Sequence, residues 1–255
     1  MKLWQPTAFA LASAVSMHSL AAEFSFDRPG TGFGTGITPV GQLAWEQSLP
    51  SVSYSKQGTD EGYEKTTTVQ TDMLFRTGLT DSMELQLGWD GPAWTQIRHA
   101  GQKVNDHGLG DVSVGVKKAI DLQDDKMTMA VLGQVSFATG NQGFSEDHDR
   151  YTIGSTVAYQ QNELLNTSMT MFYELEDGHW SWTAVPTLSY QIVGKWSGFS
   201  EFVYRKQEGQ ADQTSLATGL VYSLNNRTQF DASIGVGLSG DVPDYTGGFG
   251  VSYLF

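Results

Sequence analysis

Apolar and polar residues alternate along most of the chain beyond residue 40, which is the period-2 pattern of β-strands with one buried and one exposed face. Twelve segments show this alternation, and none shows an apolar stripe at helical spacing over three turns. The segments lie at 41–49, 66–78, 82–90, 110–120, 126–138, 150–160, 166–175, 181–192, 197–206, 213–224, 227–238 and 246–255. The pattern predicts an all-β fold with low helix content.

The connections between these segments alternate in length along the chain. The short ones lie at 79–81, 121–125, 161–165, 193–196 and 225–226, and the longer ones at 50–65, 91–109, 139–149, 176–180, 207–212 and 239–245. Outer-membrane barrels have short periplasmic turns and longer outer loops. With the first strand running outward, the sequence therefore predicts a transmembrane antiparallel up-and-down β-barrel of about 12 strands. A soluble β-sandwich is the alternative, but it gives no reason for this alternation.

The apolar faces of the predicted strands bear no charged residue at mid-strand. A Lys or Arg on the lipid face near the bilayer midplane costs about 2–4 kcal/mol, so uncharged faces are typical of a membrane exterior. Tyr151 and Tyr159 share the outward face of one strand, roughly 20 Å apart in height, which is near the apolar thickness of a barrel. Pro186 lies in mid-strand, where it removes a hydrogen-bond donor, so a bulge or local break is predicted there.

The last strand alternates bulky apolar residues with small ones. Phe249, Val251, Tyr253 and Phe255 fall on one face, and the residues between them are mostly Gly and Ser. A strand of this pattern that ends in Phe resembles the closing strand of bacterial outer-membrane barrels. The resemblance implies that the barrel assembly machinery recognises these four residues and that outer-membrane lipid surrounds the finished barrel.

The N-terminus predicts export. Lys2 precedes a mostly apolar stretch at 9–17, and small residues follow up to Ala22. This is the layout of a cleaved secretory signal over residues 1–22, and it is too short for a membrane helix. Residues 23–40 then form a Gly/Thr-rich N-terminal segment, which would either enter the lumen as a plug or remain a periplasmic tail. The barrel itself is predicted over 41–255.

Composition modifies this picture only slightly. The mean hydropathy of −0.29 would by itself indicate a soluble protein, but alternating residues average out in barrel strands. The net charge of −13 argues against a nucleic-acid partner, which requires a basic surface. The chain has no cysteine, so neither disulfides nor thiolate chemistry are expected. A closed, hydrogen-bonded barrel would supply the stability instead.

Charged residues also occur in the inward register of the strands, where they would line the lumen. They are Asp72, Arg76, Glu84, Asp90, Asp111, Lys117, Glu174, Glu201, Arg205 and Asp231. Mixed signs in an enclosed space favour paired networks. Two interpretations stay open: these residues fill and connect the interior, or they line a narrow pore for a small-molecule permeant and set its selectivity. A barrel of about twelve strands lies between filled eight-stranded barrels and open porins.

The sequence shows little sign of enzymatic chemistry. The histidines beyond the signal lie in or beside predicted outer loops, and no Gly-x-Ser-x-Gly elbow or His-Glu-x-x-His zinc spacing occurs. The acidic run 146–149 lacks the ordering of a calcium loop and is interpreted as a solvated loop. No catalytic residue, metal site or cofactor is therefore predicted. A barrel enzyme acting on lipid and a structural or docking barrel remain the alternatives.

Several short motifs, in order along the chain, resemble one family of outer-membrane proteins. They are Asp27-Arg28-Pro29-Gly30, Thr38-Pro39-Val40-Gly41-Gln42, Arg76-Thr77-Gly78-Leu79-Thr80-Asp81, Gly108-Leu109-Gly110-Asp111 and Pro243-Asp244-Tyr245. Together they are similar to the MetA-pathway of phenol degradation family, whose members are often labelled transporters. The resemblance implies a channel in the bacterial outer membrane that passes small, hydrophobic or aromatic molecules.

Overall fold

The structure, a computed structural model, describes residues 24–60 and 62–255, so the predicted signal at 1–22 lies outside the described residues. The described residues form fifteen strands in a single sheet. The strands are β1 (Leu43–Thr59), β2 (Gly62–Gln70), β3 (Met73–Thr80), β4 (Met83–Trp89), β5 (Pro92–His99), β6 (Gln102–Leu109), β7 (Val112–Ile120), β8 (Met127–Phe137), β9 (Arg150–Asn162), β10 (Leu165–Glu176), β11 (His179–Val193), β12 (Trp196–Gln207), β13 (Gln213–Asn225), β14 (Thr228–Ser239) and β15 (Tyr245–Leu254). No helix in these two ranges is long and apolar enough to span a membrane.

The sheet closes on itself through its first and last strands. β1 pairs with β15 in antiparallel register, with Trp45 opposite Tyr253. From β15 to β7, each strand pairs with the strand that precedes it in the chain. β7 then pairs with β4, β4 with β3, and β3 with β1. Twelve of the described strands therefore form a closed antiparallel barrel, which confirms the prediction. Closure gives every strand of this ring a partner on both sides.

The remaining three strands extend the sheet beyond the ring, at the end with the longer connections. The first part of β1 pairs with β3, whereas its second part, from Ser51 onward, pairs with β2. β5 then pairs with β2, and β6 with β5. The prediction of loops over 50–65 and 91–109 is therefore wrong, because most of these residues are in strands. Their Gly, Pro and charged residues are typical of loops, but strand pairing satisfies their backbone groups, and local pattern does not report such pairing.

The bend between the ring and its extension requires a glycine. Asp90 and Gly91 separate β4 from β5, and Gly91 has a φ of +69°. A Cβ at this position would overlap the carbonyl oxygen of Thr71 in the connection between β2 and β3. Both the left-handed backbone and the close approach therefore favour glycine at Gly91.

The barrel exposes apolar side chains and buries charged ones. Ile153, Ile234 and Phe249 on the outer surface are 69%, 68% and 64% exposed. The four largest fully buried side chains are those of Arg76, Lys117, Glu46 and Glu84. A soluble domain has the reverse arrangement, since Lys, Arg and Glu are almost never fully buried unless paired. An apolar exterior around a polar interior is the arrangement of a barrel in lipid.

Residues 24–42, here called the lumen segment, run along the inside of the barrel before β1 begins. Phe33 packs on Ala130 and Leu132 of β8 and against Phe172 of β10, with 5.6 Å between the two ring centroids. Near the end of the segment, Val40 forms a parallel bridge with Gly78 of β3. The lumen segment therefore contacts the inner wall on both sides of the barrel, through β8 and β10 and through β3.

Pro186 interrupts strand pairing without forming a bulge. On one side of β11, Pro186 lies opposite Met169 of β10 in continuous register. On the other side, pairing with β12 stops after Ala184 and resumes at Thr187 in the same register. Of the two outcomes that the sequence predicts, the local break is therefore present and the bulge is not. The missing N–H of proline accounts for the break.

Candidate functional site

Four charged side chains of the wall form one ion-pair cluster in the lumen. Nη1 of Arg76 lies 2.8 Å from Oε1 of Glu46, and its Nε lies 2.8 Å from Oε1 of Glu84. Nζ of Lys117 lies 3.0 Å from the same Glu84 oxygen. These residues occupy inward positions on β1, β3, β4 and β7, which are consecutive strands of the ring. All four side chains are 0% exposed, which charged groups tolerate only when they are paired.

The lumen segment adds a third carboxylate to this cluster. Asp27 lies 3.4 Å from Nη1 of Arg76 and 3.4 Å from Nζ of Lys117. Arg76 also donates hydrogen bonds to the carbonyl oxygens of Ser25 at 3.0 Å and Gly36 at 3.2 Å. Among the described residues, the cluster thus holds three carboxylates and two cations, a net charge of one negative. Arg76 therefore connects the wall directly to the lumen segment.

Carboxylates of the wall also accept hydrogen bonds from the lumen segment. Thr38 donates its backbone N–H and its hydroxyl to Oε2 of Glu84, at 2.6 and 2.8 Å. The backbone N–H of Arg28 donates to Oε2 of Glu46 at 2.8 Å. Backbone donors enclosed in a barrel need partners, and hydrogen bonds to a charged acceptor are the stronger kind. Glu46 and Glu84 therefore bind both the lumen segment and the cations of the cluster.

Arg28 forms a second ionic contact with the wall. Its Nη1 lies 3.2 Å from Asp72 and its Nη2 lies 3.2 Å from Asp231. The guanidinium lies against Gly250 of β15, where any Cβ would overlap its Nε. The small inward residue of the closing strand therefore makes room for Arg28. This contact joins the lumen segment to Asp72, which directly precedes β3, and to β14.

Glu201 of β12 holds a third point of the lumen segment. Its carboxylate accepts hydrogen bonds from the backbone N–H of Thr31 at 3.1 Å and from the Thr31 hydroxyl at 2.6 Å. The neighbouring Gly32 lies so close to β10 that a Cβ there would be 3.3 Å from the Cβ of Thr170. The Gly-rich composition of the segment thus lets its backbone approach the wall.

Beyond Thr31, toward the longer connections, the lumen contains a cavity of about 320 Å³. Its lining extends from Thr31 to Val242 in the connection between β14 and β15. Three charged residues also line the cavity. Nη2 of Arg205 lies 3.3 Å from one oxygen of Glu174, and Nε of Arg150 lies 3.8 Å from the other. One carboxylate is therefore shared between two guanidinium groups.

Asp111 and Asp90 lie at the bends where strands leave the ring. Asp111 accepts hydrogen bonds from the backbone N–H groups of Thr139 and Gly140, at 3.0 and 2.9 Å, and from the hydroxyl of Ser145 at 2.6 Å. It therefore anchors the connection between β8 and β9. The side chain of Asp90, at the bend between β4 and β5, is exposed.

The ten inward charges that the sequence predicts thus fall into three groups. Six contact the lumen segment: Asp72, Arg76, Glu84, Lys117, Glu201 and Asp231. Glu174 and Arg205 line the cavity, and Asp90 and Asp111 lie at the bends. The sequence prediction missed Asp27, Arg28, Thr31, Glu46 and Arg150 as residues of this site. The motif at 27–30 and the inward register of Glu46 were signals that could have identified three of them.

The four predicted assembly residues lie along β15 and at its end. Phe249 and Phe255 are 64% and 56% exposed, whereas Ser252 and Leu254 face inward and are buried. The backbone N–H of Phe255 donates to the carbonyl of Leu43 at 2.8 Å, which places the C-terminus at the closure of the barrel.

Within residues 24–60 and 62–255, no group of three or more His, Cys, Asp or Glu side chains is placed to hold a metal ion. In the acidic run at 146–149, Glu146 lies 3.3 Å from Arg150. Asp149 accepts a hydrogen bond from the backbone N–H of Ala138 at 2.9 Å. Glu146 and Asp149 therefore pair with a guanidinium and a backbone N–H of the protein itself.

A family model described as "Putative MetA-pathway of phenol degradation" matches residues 26–255. No curated protein sequence matches the chain. Among solved structures, the COG4313 outer membrane channel from Pseudomonas putida F1 superposes with a TM-score of 0.70 at 12% identity, covering 89% of this chain and 99% of that one. The KdgM porin in complex with disordered oligogalacturonate gives 0.56 at 9% identity, with coverages of 84% and 99%. The translocator domain of the autotransporter NalP from Neisseria meningitidis gives 0.52 at 12% identity, with coverages of 90% and 91%.

The chain shares with these structures the fold of bacterial outer-membrane barrels. The apolar exterior of the closed ring requires the same environment, because it would expose a large apolar surface to water. Fold and exterior together place the protein in the bacterial outer membrane.

Proposed function

Because this chain belongs to the MetA-pathway of phenol degradation family, we propose that it is an outer-membrane channel for small hydrophobic or aromatic molecules, controlled by its lumen segment. The main observation behind this proposal is the position of the segment. It runs inside the closed barrel and contacts the wall through Arg76, Arg28 and Glu201. The fold is shared with proteins described as a channel and a porin, which supports passage through the barrel.

The contacts of the lumen segment suit a part that changes position. Most are ion pairs or hydrogen bonds with charged groups, and a hydrogen bond of this kind contributes about 1.5–3 kcal/mol net because water replaces it when the segment leaves the wall. Only Phe33 and Ile37 add large buried apolar side chains from the described part of the segment. Among residues 24–60 and 62–255, strand pairing of the ring involves the segment only at the bridge of Val40. The segment could therefore move while the wall stays closed.

We propose passage rather than catalysis as the role of the lumen. A hydrolase needs a nucleophile within hydrogen-bond reach of an oriented base. The His148 imidazole lies 3.8 Å from Asp177, and their side chains are 56% and 62% exposed on outer connections, away from the enclosed lumen. The buried charges beside the lumen segment are instead paired with one another and with the segment itself.

A reversible disulfide tests control by the lumen segment. Gly32→Cys combined with Thr170→Cys would place two thiols where the Cβ atoms lie about 3.3 Å apart, near the ~3.8 Å average of disulfides. The chain has no other cysteine, so this bond would be unique. Liposome swelling with a small aromatic solute, and conductance in planar bilayers, would be measured before and after reduction.

We expect lower solute flux in the oxidised double variant than in the same protein after reduction. Each single cysteine variant, treated identically, serves as the matched control and should respond like the unmodified protein. Equal flux in both redox states, with the disulfide verified by mass spectrometry, would refute control by movement of the segment. Deletion of residues 24–38 should raise the single-channel current, and an unchanged current would contradict occlusion by the segment.

A further inference from the structure

The cavity beyond Thr31 has a charged lining that simple passage of apolar molecules would not require. Arg150 and Arg205 line it together with the one carboxylate that they share, that of Glu174. Among the described residues, the charged lining thus has one excess positive charge. Arg150 also lies 3.3 Å from Glu146, but that side chain is 46% exposed in the connection between β8 and β9, where water and salt weaken the pair.

Both guanidinium groups keep hydrogen-bond donors available. Arg205 donates from Nη2 to the Ser181 hydroxyl at 3.2 Å, and its Nε is buried without a hydrogen-bond partner among the described residues. The Arg205 side chain is 30% exposed and that of Arg150 is 20% exposed, so both are reachable from the cavity. A guanidinium has five N–H donors in a planar fork that matches a carboxylate. The two arginines can therefore bind a second carboxylate beside Glu174.

The cavity also has an apolar side. Phe172, Val203 and Val242 line it near the arginines. Phe172 packs against Phe33 of the lumen segment, with ring centroids 5.6 Å apart, and Thr31 of the same segment lines the cavity. A molecule in this cavity would therefore contact the lumen segment both directly, through Thr31, and through Phe172.

We propose that the cavity binds a small organic anion, with its carboxylate at Arg150 and Arg205 and its aromatic or aliphatic part against Phe172 and Val203. This inference rests on the proposed channel function, since the molecule would bind here before it passes the lumen segment. Ligand sites typically combine apolar walls with a few placed polar groups in about 300–1,000 Å³. A cavity of about 320 Å³ suits a molecule with a single ring.

Benzoate and benzyl alcohol distinguish the contribution of the negative charge to binding from that of the ring. Both have one aromatic ring, and only benzoate is ionised at pH 7. Binding of each to the refolded mature protein in detergent would be measured by isothermal titration calorimetry. We expect tighter binding of benzoate. Arg205→Gln should weaken benzoate about tenfold or more, since it removes charged hydrogen bonds, and should leave benzyl alcohol nearly unchanged. Arg205→Lys should restore part of the affinity.

Lys206→Gln is the matched control on the same strand. Adjacent residues of a strand point to opposite faces, so Lys206 lies outside the lumen. It donates to Asp212 at 2.8 Å, and hydrogen bonds from Lys206 and Tyr204 hold the pKa of the Asp212 carboxyl below its usual range. This variant removes one positive charge without changing the cavity, so the benzoate affinity should stay at the value of the unmodified protein.

Equal benzoate affinity in the unmodified protein and in Arg205→Gln, both verified as folded barrels, would overturn the proposal. Equal affinity of the unmodified protein for benzoate and benzyl alcohol would overturn it as well. If Arg205→Gln does not fold, the benzoate affinity of Arg150→Gln is measured instead. An affinity equal to that of the unmodified protein, or equal affinities of the unmodified protein for benzoate and benzyl alcohol, would then overturn the proposal. Failure of the channel proposal would show separately, because redox-dependent flux of the disulfide variant is measured without an anion.

Discussion

Arg76→Ala is the perturbation that most directly tests the buried cluster. The substitution removes the only ion-pair partner that Glu46 has among the described residues, whereas Glu84 keeps Lys117 at 3.0 Å. It also removes the hydrogen bonds to the carbonyl oxygens of Ser25 and Gly36 in the lumen segment. Both the stability of the barrel and the position of the lumen segment should therefore respond.

The magnitude follows from the burial of the carboxylate. Glu46 is 0% exposed, and removing one partner of a buried pair typically costs about 3–5 kcal/mol because the other charge stays uncompensated. The net charge of the cluster changes from one negative to two negative, since Arg76 supplies one of its two cations. We therefore expect a loss of about 3–5 kcal/mol in unfolding free energy, a higher conductance, and a shift of ion selectivity toward cations.

The assay combines urea unfolding in lipid vesicles with reversal potentials in planar bilayers. Arg98→Ala is the charge-matched control, because Arg98 lies exposed on β5 and donates to Gln96 outside the lumen. The double variant Arg76→Ala/Glu46→Gln should recover most of the stability, since no unpaired carboxylate remains, while the conductance stays high. Unchanged stability and unchanged selectivity of Arg76→Ala in a folded barrel would refute the assignment of Arg76 to a buried ionic cluster that holds the lumen segment.

Three further predictions concern the closing strand and the contacts of the lumen segment. Deletion of Phe255 should reduce the yield of heat-modifiable barrel in the outer membrane, and a normal yield would contradict its role in assembly. Gly78→Ala should raise conductance, because its Cβ would overlap the carbonyl oxygen of Thr38 and displace the lumen segment. Gly133→Ala should leave conductance unchanged, because among the described residues none beyond its chain neighbours lies within 4 Å of its Cβ. Equal effects of the two variants would argue against displacement of the segment. Glu201→Gln replaces a charged acceptor by a neutral one and should weaken the binding of the lumen segment to the wall by roughly 1 kcal/mol. We expect a higher open probability of the channel, and an unchanged open probability would show that Glu201 does not hold the segment.

Much of the barrel was predictable because strand faces are a local property. Alternation with period 2 depends only on neighbouring residues, so it identified most strands of the ring and placed Arg76 and Glu84 inside and Phe249 outside. It was wrong at 66–78, which it gave as one strand, because the end of β2 and most of β3 both alternate and only two residues separate them. The alternating lengths of the connections then predicted an even, closed, antiparallel ring. The extension was not predictable in this way, because β2, β5 and β6 contain Gly, Pro and charged residues that are typical of loops, and they become strands by pairing with β1 and with one another.

The position of the lumen segment was decided only by tertiary structure. Residues 24–42 have no periodic pattern, and the sequence left a plug and a periplasmic tail equally open. Arg28 binds Asp231 across 203 residues of sequence, and Thr31 binds Glu201 across 170. Such partners meet only after the ring closes and brings distant inward positions into one enclosed space. The sequence by itself therefore determined the inward and outward faces of the strands, and the closed barrel determined which inward charges meet, because pairing of buried charges depends on distances through space.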